Sequence, residues 1–378
     1  MNVPRVKTAV LGCGGISDAY LTSITEKFKI LELVGCCART PASATRKAAQ
    51  YGIKPLTMEE IEADKSIELV INLTPMTQHY ATNKRLLQAG KHVYTEKTLA
   101  LELAEAAELV ALANEKNLYL GVAPDTFLGA ALQTARYAID SGLIGEVSSF
   151  TASITRDYKF FAGTNPAFVG PGYGIAFDVG IYYVTALLSL LGPVKTVSGL
   201  MQTRSPQGVF ESVEHMGEPY TMTCENIAAG TLQFASGVTG NVLFDSNSVM
   251  TIPERPLVVI YGAQGILYLS DPNTFGGEVK VLLKGNSEPA ALPQAHPFDT
   301  ESRGVGAAEL AWSLRKGRQP RASKEMAYHA LEVLSGIQRS GETRRFCEIE
   351  STFDRAPALP RGHKPLAPGF GTEENAIA

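Results

Sequence analysis

The chain of 378 residues is longer than one ordinary domain, so we expect two. Its composition, 45% hydrophobic and 19% charged, is typical of a globular protein, and a net charge of −4 without a Lys/Arg run argues against a nucleic-acid partner. Five cysteines without a C-x-x-C pair argue against a disulfide framework and against a metal site. No signal-peptide pattern and no stretch able to span a bilayer are present, which predicts a cytoplasmic protein without a membrane partner.

A glycine-rich turn follows the first apolar run of the chain. The spacing Gly12-x-Gly14-x-x-Ser17 comes directly after residues 9–11 and opens a predicted helix. Gly12 allows a sharp turn, Gly14 has no Cβ to keep a pyrophosphate away from the backbone, and the helix N-terminus stabilises negative charge. The pattern predicts a dinucleotide site with pyrophosphate contacts from Gly12, Gly14, Gly15, Ile16 and Ser17.

The residues after the second predicted strand, 31–37, bear on the choice of cofactor. A site for NAD usually has an acidic residue there, which binds the ribose hydroxyls and would repel a 2′-phosphate. Ala38 and Arg39 occupy this position, and a guanidinium can bind a phosphate through two hydrogen bonds. We therefore predict NADP in preference to NAD, with a solvated arginine at a strand end as the alternative.

Strands and helices alternate through the first third of the chain. Apolar runs at 68–73, 92–95 and 118–122 are separated by segments with helical periodicity. This alternation predicts right-handed βαβ units, a parallel sheet and a Rossmann-like α/β domain over 1–124. Ligands bind beyond the carboxyl ends of such strands, where we expect Gly12, Arg39, Thr74, Lys97 and the segment 124–126 to meet.

Three motifs of this half point together to one protein family. They are the Gly-x-Gly-x-x-Ser loop, the strand end Thr74-Pro75 with His79 four residues further on, and the run Ala-Gly-Lys-His-Val-x-x-Glu-Lys that ends at Lys97. Together they resemble the motifs of the Gfo/Idh/MocA oxidoreductases, in which Glu-Lys is usually followed by proline and not, as here, by Thr98. The resemblance implies cofactor contacts from Thr74, Pro75, His79, Glu96 and Lys97.

The remainder, 125–378, has longer strands in which apolar and polar residues alternate. Short turns such as Ser236-Gly237 join several of them, which predicts antiparallel pairing. We expect an α+β domain over 125–378 with a large, mostly antiparallel open sheet and an extended tail from 355. The resemblance implies a homodimer or homotetramer formed through this sheet. The strands are predicted at 147–155, 194–203, 227–234, 238–244, 257–261, 266–269 and 279–283.

A glycine-rich insertion, 156–192, separates the first two of these strands and is long enough to be functional. It contains the sequence Asp178-Val179-Gly180-Ile181-Tyr182. In the family this motif is D-x-G-x-H, whose Asp and His lie over the nicotinamide. Here Tyr182 replaces the histidine, as in the glucose–fructose oxidoreductase and dihydrodiol dehydrogenase branches. The resemblance thus implies that Asp178 and Tyr182 belong to the reaction centre.

Hydride transfer from a secondary alcohol needs a base within hydrogen-bonding reach of the hydroxyl. A free tyrosine, with a pKa of about 10, is a poor base at neutral pH, but a nearby ammonium group lowers that pKa. Tyr182 and Lys97 therefore form the candidate proton-transfer pair, and which of them carries the proton stays open. Asp178 is expected to bind a substrate hydroxyl or to orient Lys97. The alternative for Tyr182 is an aromatic lid residue whose hydroxyl faces water.

The predicted site suits a substrate with several hydroxyls and an apolar ring face. A sugar, cyclitol or glycoside fits this description, and the resemblance implies oxidation of a secondary hydroxyl, commonly the sugar 3-hydroxyl. The alternatives are a trans-dihydrodiol or small diol dehydrogenase and a catalytically silent dinucleotide-binding sensor. The polar contacts are expected from Asp125, Asp178, Tyr182 and Lys97, and the aromatic contacts from Tyr158, Phe160, Phe161 and Phe168.

Two further residues are interpreted as structural. Arg303, at the start of a predicted helix, could reach a substrate hydroxyl, but a plain surface arginine is the preferred interpretation. His329 lies in a predicted helix over 323–340, where a packing role is expected.

Overall fold

The structure, a computed structural model, describes residues 3–249, 255–294, 296 and 298–360, without the side chains of Phe160 and Phe161. Its N-terminal part alternates strands and helices, as predicted. In chain order these are β1 (Val6–Leu11), α1 (Ser17–Glu26), β2 (Leu31–Cys37), α2 (Pro41–Tyr51), β3 (Lys54–Pro55), α3 (Met58–Ala63), β4 (Leu69–Asn72), α4 (His79–Gln88), β5 (His92–Thr95), α5 (Leu103–Glu115) and β6 (Leu120–Val122).

All strand pairs of this first sheet are parallel, in the order β3-β2-β1-β4-β5-β6. The order changes direction between β1 and β4, which is where sheets of this kind bind ligands. Both faces are buried because the strands are apolar almost throughout. Val10 of β1 packs in the same cluster as Tyr20 of α1, whereas the neighbouring Leu11 packs with Leu86 of α4 on the opposite face. The predicted Rossmann-like sheet is confirmed.

The C-terminal part is built around a second sheet. Its helices and strands in chain order are α6 (Ala130–Asp140), β7 (Val147–Thr155), α7 (Tyr158–Thr164), α8 (Ile181–Leu191), β8 (Val194–Gln202), β9 (Gln207–Val209), β10 (Pro219–Thr221), β11 (Ile227–Phe234), β12 (Thr239–Asp245), β13 (Val258–Gly262), β14 (Gly265–Leu269), β15 (Val279–Leu283), β16 (Ala290–Ala291), α9 (Val305–Lys316), α10 (Lys324–Thr343) and β17 (Cys347–Glu348).

Among the described residues the second sheet has nine strands, in the order β16-β15-β14-β13-β7-β12-β11-β8-β17. Every neighbouring pair is antiparallel except β7 and β12, which run parallel. The predicted large, mostly antiparallel sheet is confirmed. The parallel pair joins strands that are far apart in the chain, so the short turns used for prediction could not reveal it. The division of the chain between residues 124 and 125 stays a prediction.

One face of the second sheet is covered by helices and the other is open. Phe150, Ala152 and Ile154 of β7 are buried, whereas Thr151 and Ser153 between them are exposed. Helix α10 packs along β8 and also contacts α8 on the covered face. The alternation of buried and exposed side chains therefore leaves a solvent-facing sheet surface.

The chain end was expected to be an extended tail from residue 355. Residues 355–360 contain no helix or strand, and the Leu359 amide donates to Gln133 Oε1 of α6 at 2.7 Å. This segment therefore lies against the C-terminal part of the molecule. The rest of the expected tail, 361–378, lies outside the described residues.

Several short elements were not predicted. They are β3 and α3, the strands β9, β10, β16 and β17, and α7 in the insertion. Each is too short for a periodic pattern to identify it. No helix in the described ranges is both long and apolar enough to cross a bilayer.

Candidate active site

The glycine-rich loop connects β1 to α1 beyond the end of the strand. Gly12 has φ +103°, and a Cβ there would lie 2.6 Å from the carbonyl carbon and oxygen of Leu73. Only glycine fits such a position. In contrast, a Cβ on Gly14 or Gly15 would meet no atom within 4 Å. Gly12 therefore shapes the turn, whereas Gly14 and Gly15 face open space in which a pyrophosphate could lie.

Helix α1 begins directly after this loop. Ser17 is fully buried and its Oγ donates to the Gly14 carbonyl at 2.6 Å, whereas Ile16 is 38% exposed. Asp18 in the first turn pairs with Lys47 at 2.5 Å, so its negative charge is already balanced. The exposed backbone and the positive end of the helix dipole fit an anionic pyrophosphate.

Arg39 follows the end of β2. Ala38 is half-buried and Arg39 is exposed. Within the described ranges no hydrogen bond or ion pair engages the Arg39 guanidinium. This geometry is compatible with binding of a 2′-phosphate and equally with a solvated arginine.

His79 ties the turn after β4 to the loop after β5. Its Nδ1 lies 2.6 Å from the Thr98 carbonyl oxygen and its Nε2 lies 2.8 Å from the Thr74 carbonyl oxygen. The peptide bond between Lys97 and Thr98, where the family usually has proline, is cis. His79 is 1% exposed, and both ring nitrogens are engaged by the protein. The cofactor contact of His79 stays a prediction, and in the structure the ring lies between two backbone carbonyl groups.

The remaining residues of these two loops divide into exposed and engaged groups. Thr74 is half-buried and Pro75 is exposed, so both stay candidates for a cofactor contact. Glu96 instead accepts a hydrogen bond from the Tyr20 hydroxyl at 2.7 Å and another from the Lys97 amide at 3.1 Å. Glu96 therefore supports the loop that carries Lys97.

A buried ion pair connects the two parts of the chain. Lys97 Nζ lies 2.5 Å from Asp178 Oδ1 and 2.8 Å from the Asp178 carbonyl oxygen, and the two side chains are 12% and 14% exposed. The Tyr158 hydroxyl donates to the other carboxylate oxygen, Asp178 Oδ2, at 2.7 Å. Burial lowers the pKa of Lys97, but the neighbouring negative charges, above all Asp178, outweigh burial and raise this pKa above its ordinary value. Lys97 is therefore an ammonium group at neutral pH.

Tyr182 packs against this ion pair. Its ring centroid is 5.5 Å from Lys97 Nζ, a cation–π distance, and the residue is 7% exposed. Burial raises the pKa of Tyr182, and the opposing charges of Lys97 and Arg303 offset this only in part. Lys97 lowers this pKa, as expected, but burial has the larger effect, so the pKa of Tyr182 lies above its ordinary value.

Arg303 makes contacts that its position in the sequence does not indicate. Its Nη2 donates to Asn273 Oδ1 at 3.2 Å, its Nη1 pairs with Glu301, and its guanidinium lies 5.9 Å from the centroid of the Phe275 ring. The side chain is 16% exposed, and its charge lowers the pKa of the Tyr182 hydroxyl against the effect of burial. The interpretation as a plain surface arginine is therefore wrong. No local pattern could have shown this, because the contact with Tyr182 is made across the fold.

Asp125 lies next to the reaction centre but faces a helix. Its Oδ2 accepts hydrogen bonds from the amides of Gly304 at 3.0 Å and Gly306 at 2.9 Å, at the start of α9, and the residue is 2% exposed. Burial raises the pKa of Asp125 to about 6, although these amides favour the charged form. The contact of Asp125 with a polyol stays a prediction, and in the structure its carboxylate caps the helix that follows Arg303.

A π-helical turn, Ala176–Gly180, precedes α8 and carries Asp178. Such turns are frequent at functional sites. Glu225 Oε1 accepts a hydrogen bond from the Ala176 amide at 3.1 Å, and a Cβ on Gly174 would lie only 1.8 Å from the Glu225 carboxylate. Burial raises the pKa of Glu225 to about 7, and the amide contacts only partly oppose this. Glu225 therefore positions the turn, and no motif in the sequence predicts this role.

The aromatic residues of the insertion lie on one side of the ion pair. The Phe168 ring centroid is 6.1 Å from that of Tyr158 and 5.6 Å from that of Tyr173. Phe168 is half-buried, so part of its ring stays open to a ligand. The side chains of Phe160 and Phe161 lie outside the described part of the structure.

Comparison with family models identifies the class of the protein. Residues 6–123 match the model described as oxidoreductase family, NAD-binding Rossmann fold, of the GFO/IDH/MocA family. Residues 132–268 match the GFO/IDH/MocA C-terminal domain. Together the two matches cover more than half of the chain, which therefore belongs to the GFO/IDH/MocA oxidoreductase family. Membership of a tyrosine-bearing branch stays a prediction.

Individual relatives agree with this assignment. An uncharacterized oxidoreductase of Schizosaccharomyces pombe is 32% identical over 204 residues, which are 53% of this chain and 55% of that protein. The chain thus spans about half the length of this and a second relative from the same yeast. The scyllo-inositol 2-dehydrogenase (NADP(+)) of Bacillus subtilis is 26% identical over 356 residues, covering 92% of this chain and 97% of that protein.

Solved structures show the same fold at lower identity. Levoglucosan dehydrogenase in complex with NADH and levoglucosan superposes with a TM-score of 0.78 at 17% identity, over 92% of this chain and 100% of that chain. Aldose-aldose oxidoreductase from Caulobacter crescentus, complexed with glycerol, gives a TM-score of 0.77 at 21% identity, over 91% and 99% of the two chains.

Gly14→Val should abolish dinucleotide binding while the protein stays folded. The open space at Gly14 accepts the side chain without a clash, so the free energy of unfolding should change by only about 0.5 kcal/mol. Gly12→Ala should do the reverse and destabilise the fold by about 1–3 kcal/mol through its positive φ and the contact with Leu73. Calorimetric titration with NADP and NAD, together with urea unfolding, checks both variants. A folded Gly14→Val protein with unchanged affinity would remove the site from this loop.

Glu225 should make folding stability depend on pH. Its pKa in the folded protein is raised to about 7, so its contribution to stability is present at low pH and is lost as pH rises through about 7. Between about pH 5 and pH 8, the free energy of unfolding of Glu225→Gln should fall less than that of the unmodified protein. Urea unfolding across this range measures the difference. The exposed Glu214→Gln serves as the matched control, and identical pH slopes for the two variants would contradict the assignment.

Proposed function

We propose that the protein is an NAD(P)-dependent dehydrogenase that transfers a hydride between the nicotinamide and a secondary hydroxyl or ketone of a sugar, cyclitol or glycoside. The observation that carries this proposal is the buried cluster of Lys97, Asp178 and Tyr182. Lys97 of this cluster lies in the loop after β5, in the same part of the chain as the glycine-rich loop. Relatives named as a scyllo-inositol dehydrogenase and a levoglucosan dehydrogenase support a polyhydroxylated substrate.

The residues of the cluster divide the chemistry between them. A bound nicotinamide would supply or accept the hydride. Lys97 stays charged beside Asp178, so we assign proton transfer to the Tyr182 hydroxyl and charge stabilisation to Lys97. In the reduction direction the Tyr182 hydroxyl gives its proton to the carbonyl oxygen and becomes a phenolate. In the oxidation direction Tyr182 first loses its own proton to solvent, and the phenolate then takes the proton of the substrate hydroxyl. Lys97 and Arg303 both favour the phenolate and would also stabilise an alkoxide.

The alternative functions receive less support. A catalytically silent sensor would not need an ion pair and a tyrosine hydroxyl gathered in one buried cluster. No contact among the described residues favours a trans-dihydrodiol over a sugar. Oxidation at the sugar 3-position and a cytoplasmic location remain parts of the proposal.

We further propose a homodimer or homotetramer formed through the open face of the second sheet. Leu200 and Leu243 are 46% and 44% exposed there. Strand pairing places them in one row, with Ala229 between them and Ser153 beside Leu243. Apolar residues in the middle of an exposed face are typical of a contact surface.

Arg39→Ala should shift cofactor preference away from NADP. Loss of a charge-assisted contact with the 2′-phosphate should weaken NADP binding by about 2 kcal/mol and leave NAD binding nearly unchanged. Calorimetric titration with both dinucleotides measures this difference, and Arg345→Ala, an exposed arginine after α10, is the control. Equal losses for both cofactors would mean that Arg39 is structural. Tighter binding of NAD than of NADP to the unmodified protein would overturn the proposed preference.

Tyr182→Phe should reduce turnover by about 10²–10⁴-fold, the usual contribution of a positioned acid–base group. Dinucleotide affinity should stay unchanged, and KM should change less than kcat, because the hydroxyl acts mainly in the transition state. Steady-state kinetics by nicotinamide absorbance, with inositols and sugars as substrates, measures both constants.

Tyr183→Phe is the matched control. This neighbour is fully buried and its hydroxyl donates to Asp271 Oδ1 at 3.1 Å, so its loss should cost about 1 kcal/mol of stability but only a few-fold in turnover. If Tyr182→Phe kept its turnover while Lys97→Met lost it, the lysine would be the base. If neither change mattered, the silent sensor would replace the proposed enzyme.

A further inference from the structure

A large cavity lies beside the reaction centre, at the ends of β7 and β14 and against the segments 270–277 and 299–303. Its volume of about 540 Å³ falls within the range of about 300–1,000 Å³ that is typical of small-molecule sites. The side chains that line it include Arg156, Leu257, Asp271, Asn273, Glu301 and Arg303.

Arg303 links this cavity to the reaction centre. Its guanidinium lines the cavity, and its charge acts on the Tyr182 hydroxyl. Asp271 gives a second link, because it lines the cavity and accepts the hydrogen bond of Tyr183, the residue next to Tyr182 in α8. Lys97 and Asp178 are not among the lining residues. The reacting part of a substrate would therefore lie at Tyr182, outside the cavity. Only another part of the same molecule, extending past Arg303, would enter the cavity.

The charges of the cavity favour an uncharged ligand. Its two arginines face three carboxylates, those of Asp271, Asp299 and Glu301. Arg156 Nη2 lies 3.5 Å from Asp271 Oδ2, and Arg303 pairs with Glu301. Among the described residues that line the cavity, no excess of positive charge is left to attract a phosphate or a carboxylate.

The lining matches a ring that carries hydroxyl groups. Carboxylates accept hydrogen bonds and guanidinium groups donate them, and a sugar hydroxyl does both. Ile154 and Leu257 add an apolar surface that suits the C–H face of such a ring. The loop is also held in place, because Asp271 Oδ1 accepts a hydrogen bond from the Asn273 amide at 2.9 Å and Thr274 Oγ1 donates to the Asp271 carbonyl at 2.7 Å. A preformed surface of this kind lowers the cost of binding.

We propose that this cavity is a subsite for a second, uncharged sugar ring. The preferred substrate is then a disaccharide or a sugar glycoside, with the oxidised ring at Tyr182 and the other ring against Asp271 and Asn273. This inference rests on the proposed dehydrogenase function and names the substrate class of the same site.

The test compares substrates that differ only in the second ring. The full-length protein is saturated with NADP, or with NAD if that cofactor binds more tightly. It is assayed with cellobiose, lactose and maltose, with methyl β-glucoside, methyl β-galactoside and methyl α-glucoside as their matched methyl glycosides, and with phenyl β-glucoside. We expect kcat/KM for at least one disaccharide to exceed that of the methyl glycoside of its non-reducing ring by about tenfold or more, the gain from a few added hydrogen bonds.

Variants that fill the cavity test whether the preference for disaccharides arises there. In Leu257→Trp the larger side chain occupies part of the cavity, and the ratio of disaccharide to methyl glycoside kcat/KM should fall about fivefold or more. Leu257→Met conserves the volume and should keep the ratio within about twofold. Thr300→Trp, at an exposed rim residue, provides a second blocking variant if the first does not fold.

Each outcome tests either the second sugar subsite or the proposed dehydrogenase function on which it rests. Equal or better use of the methyl glycosides would overturn the subsite and leave the dehydrogenase in place. A preference for phenyl β-glucoside over every disaccharide would replace the sugar ring by an aromatic one and also overturn the assignment. If both tryptophan variants kept the preference for disaccharides, the second ring would not bind in this cavity, and the subsite would lie elsewhere. Absence of oxidation with every sugar and with the inositols would overturn the proposed function itself.

Discussion

The buried ion pair between Lys97 and Asp178 is the contact on which the rest of the site depends. Lys97 lies at the carboxyl edge of the parallel sheet, whereas Asp178 lies in the turn before α8. Removing one partner of a buried pair typically costs about 3–5 kcal/mol, because the other charge is left without compensation. Here the carboxylate also accepts from Tyr158 and the ammonium also donates to a carbonyl oxygen, so both charges are satisfied. The reaction centre therefore exists only when the two parts of the chain are packed together.

The tyrosine beside this ion pair lies near cationic side chains from both parts of the chain. Lys97 comes from the first part and Arg303 from the second, and both favour the phenolate of Tyr182 against the effect of burial. Such a tyrosine stays neutral in the resting protein, and its ionised form is stabilised by charges that are already in place. Arg303 in turn borders the neighbouring cavity, so the group that supports proton transfer also borders the space available to the rest of a substrate.

Local signals in the sequence predicted much of this structure. The glycine spacing at Gly12 and the apolar strand runs depend only on neighbouring residues, and both sheets were predicted from such patterns. Motif resemblance brought Lys97, Asp178 and Tyr182 into one hypothesis, and the structure gathers them into one cluster. The roles of Arg303 and Glu225 depend on contacts between distant segments, which no local pattern encodes.

His79 and Asp125 make contacts within the protein that the sequence did not predict, for a common physical reason. A polar residue near a strand end can face a ligand, a carbonyl group or a helix N-terminus, and its position in the sequence does not distinguish between these. His79 faces two carbonyl oxygens, and Asp125 faces the amides that open α9. Two carboxylates, Asp125 and Glu225, thus hold the starts of the segments that carry Arg303 and Asp178, and they titrate at about pH 6 and about pH 7. Because burial raises both pKa values, protonation of each carboxyl group stabilises the folded scaffold. The acid limb of a rate profile would therefore report protonation at the reaction centre and not a loss of the scaffold.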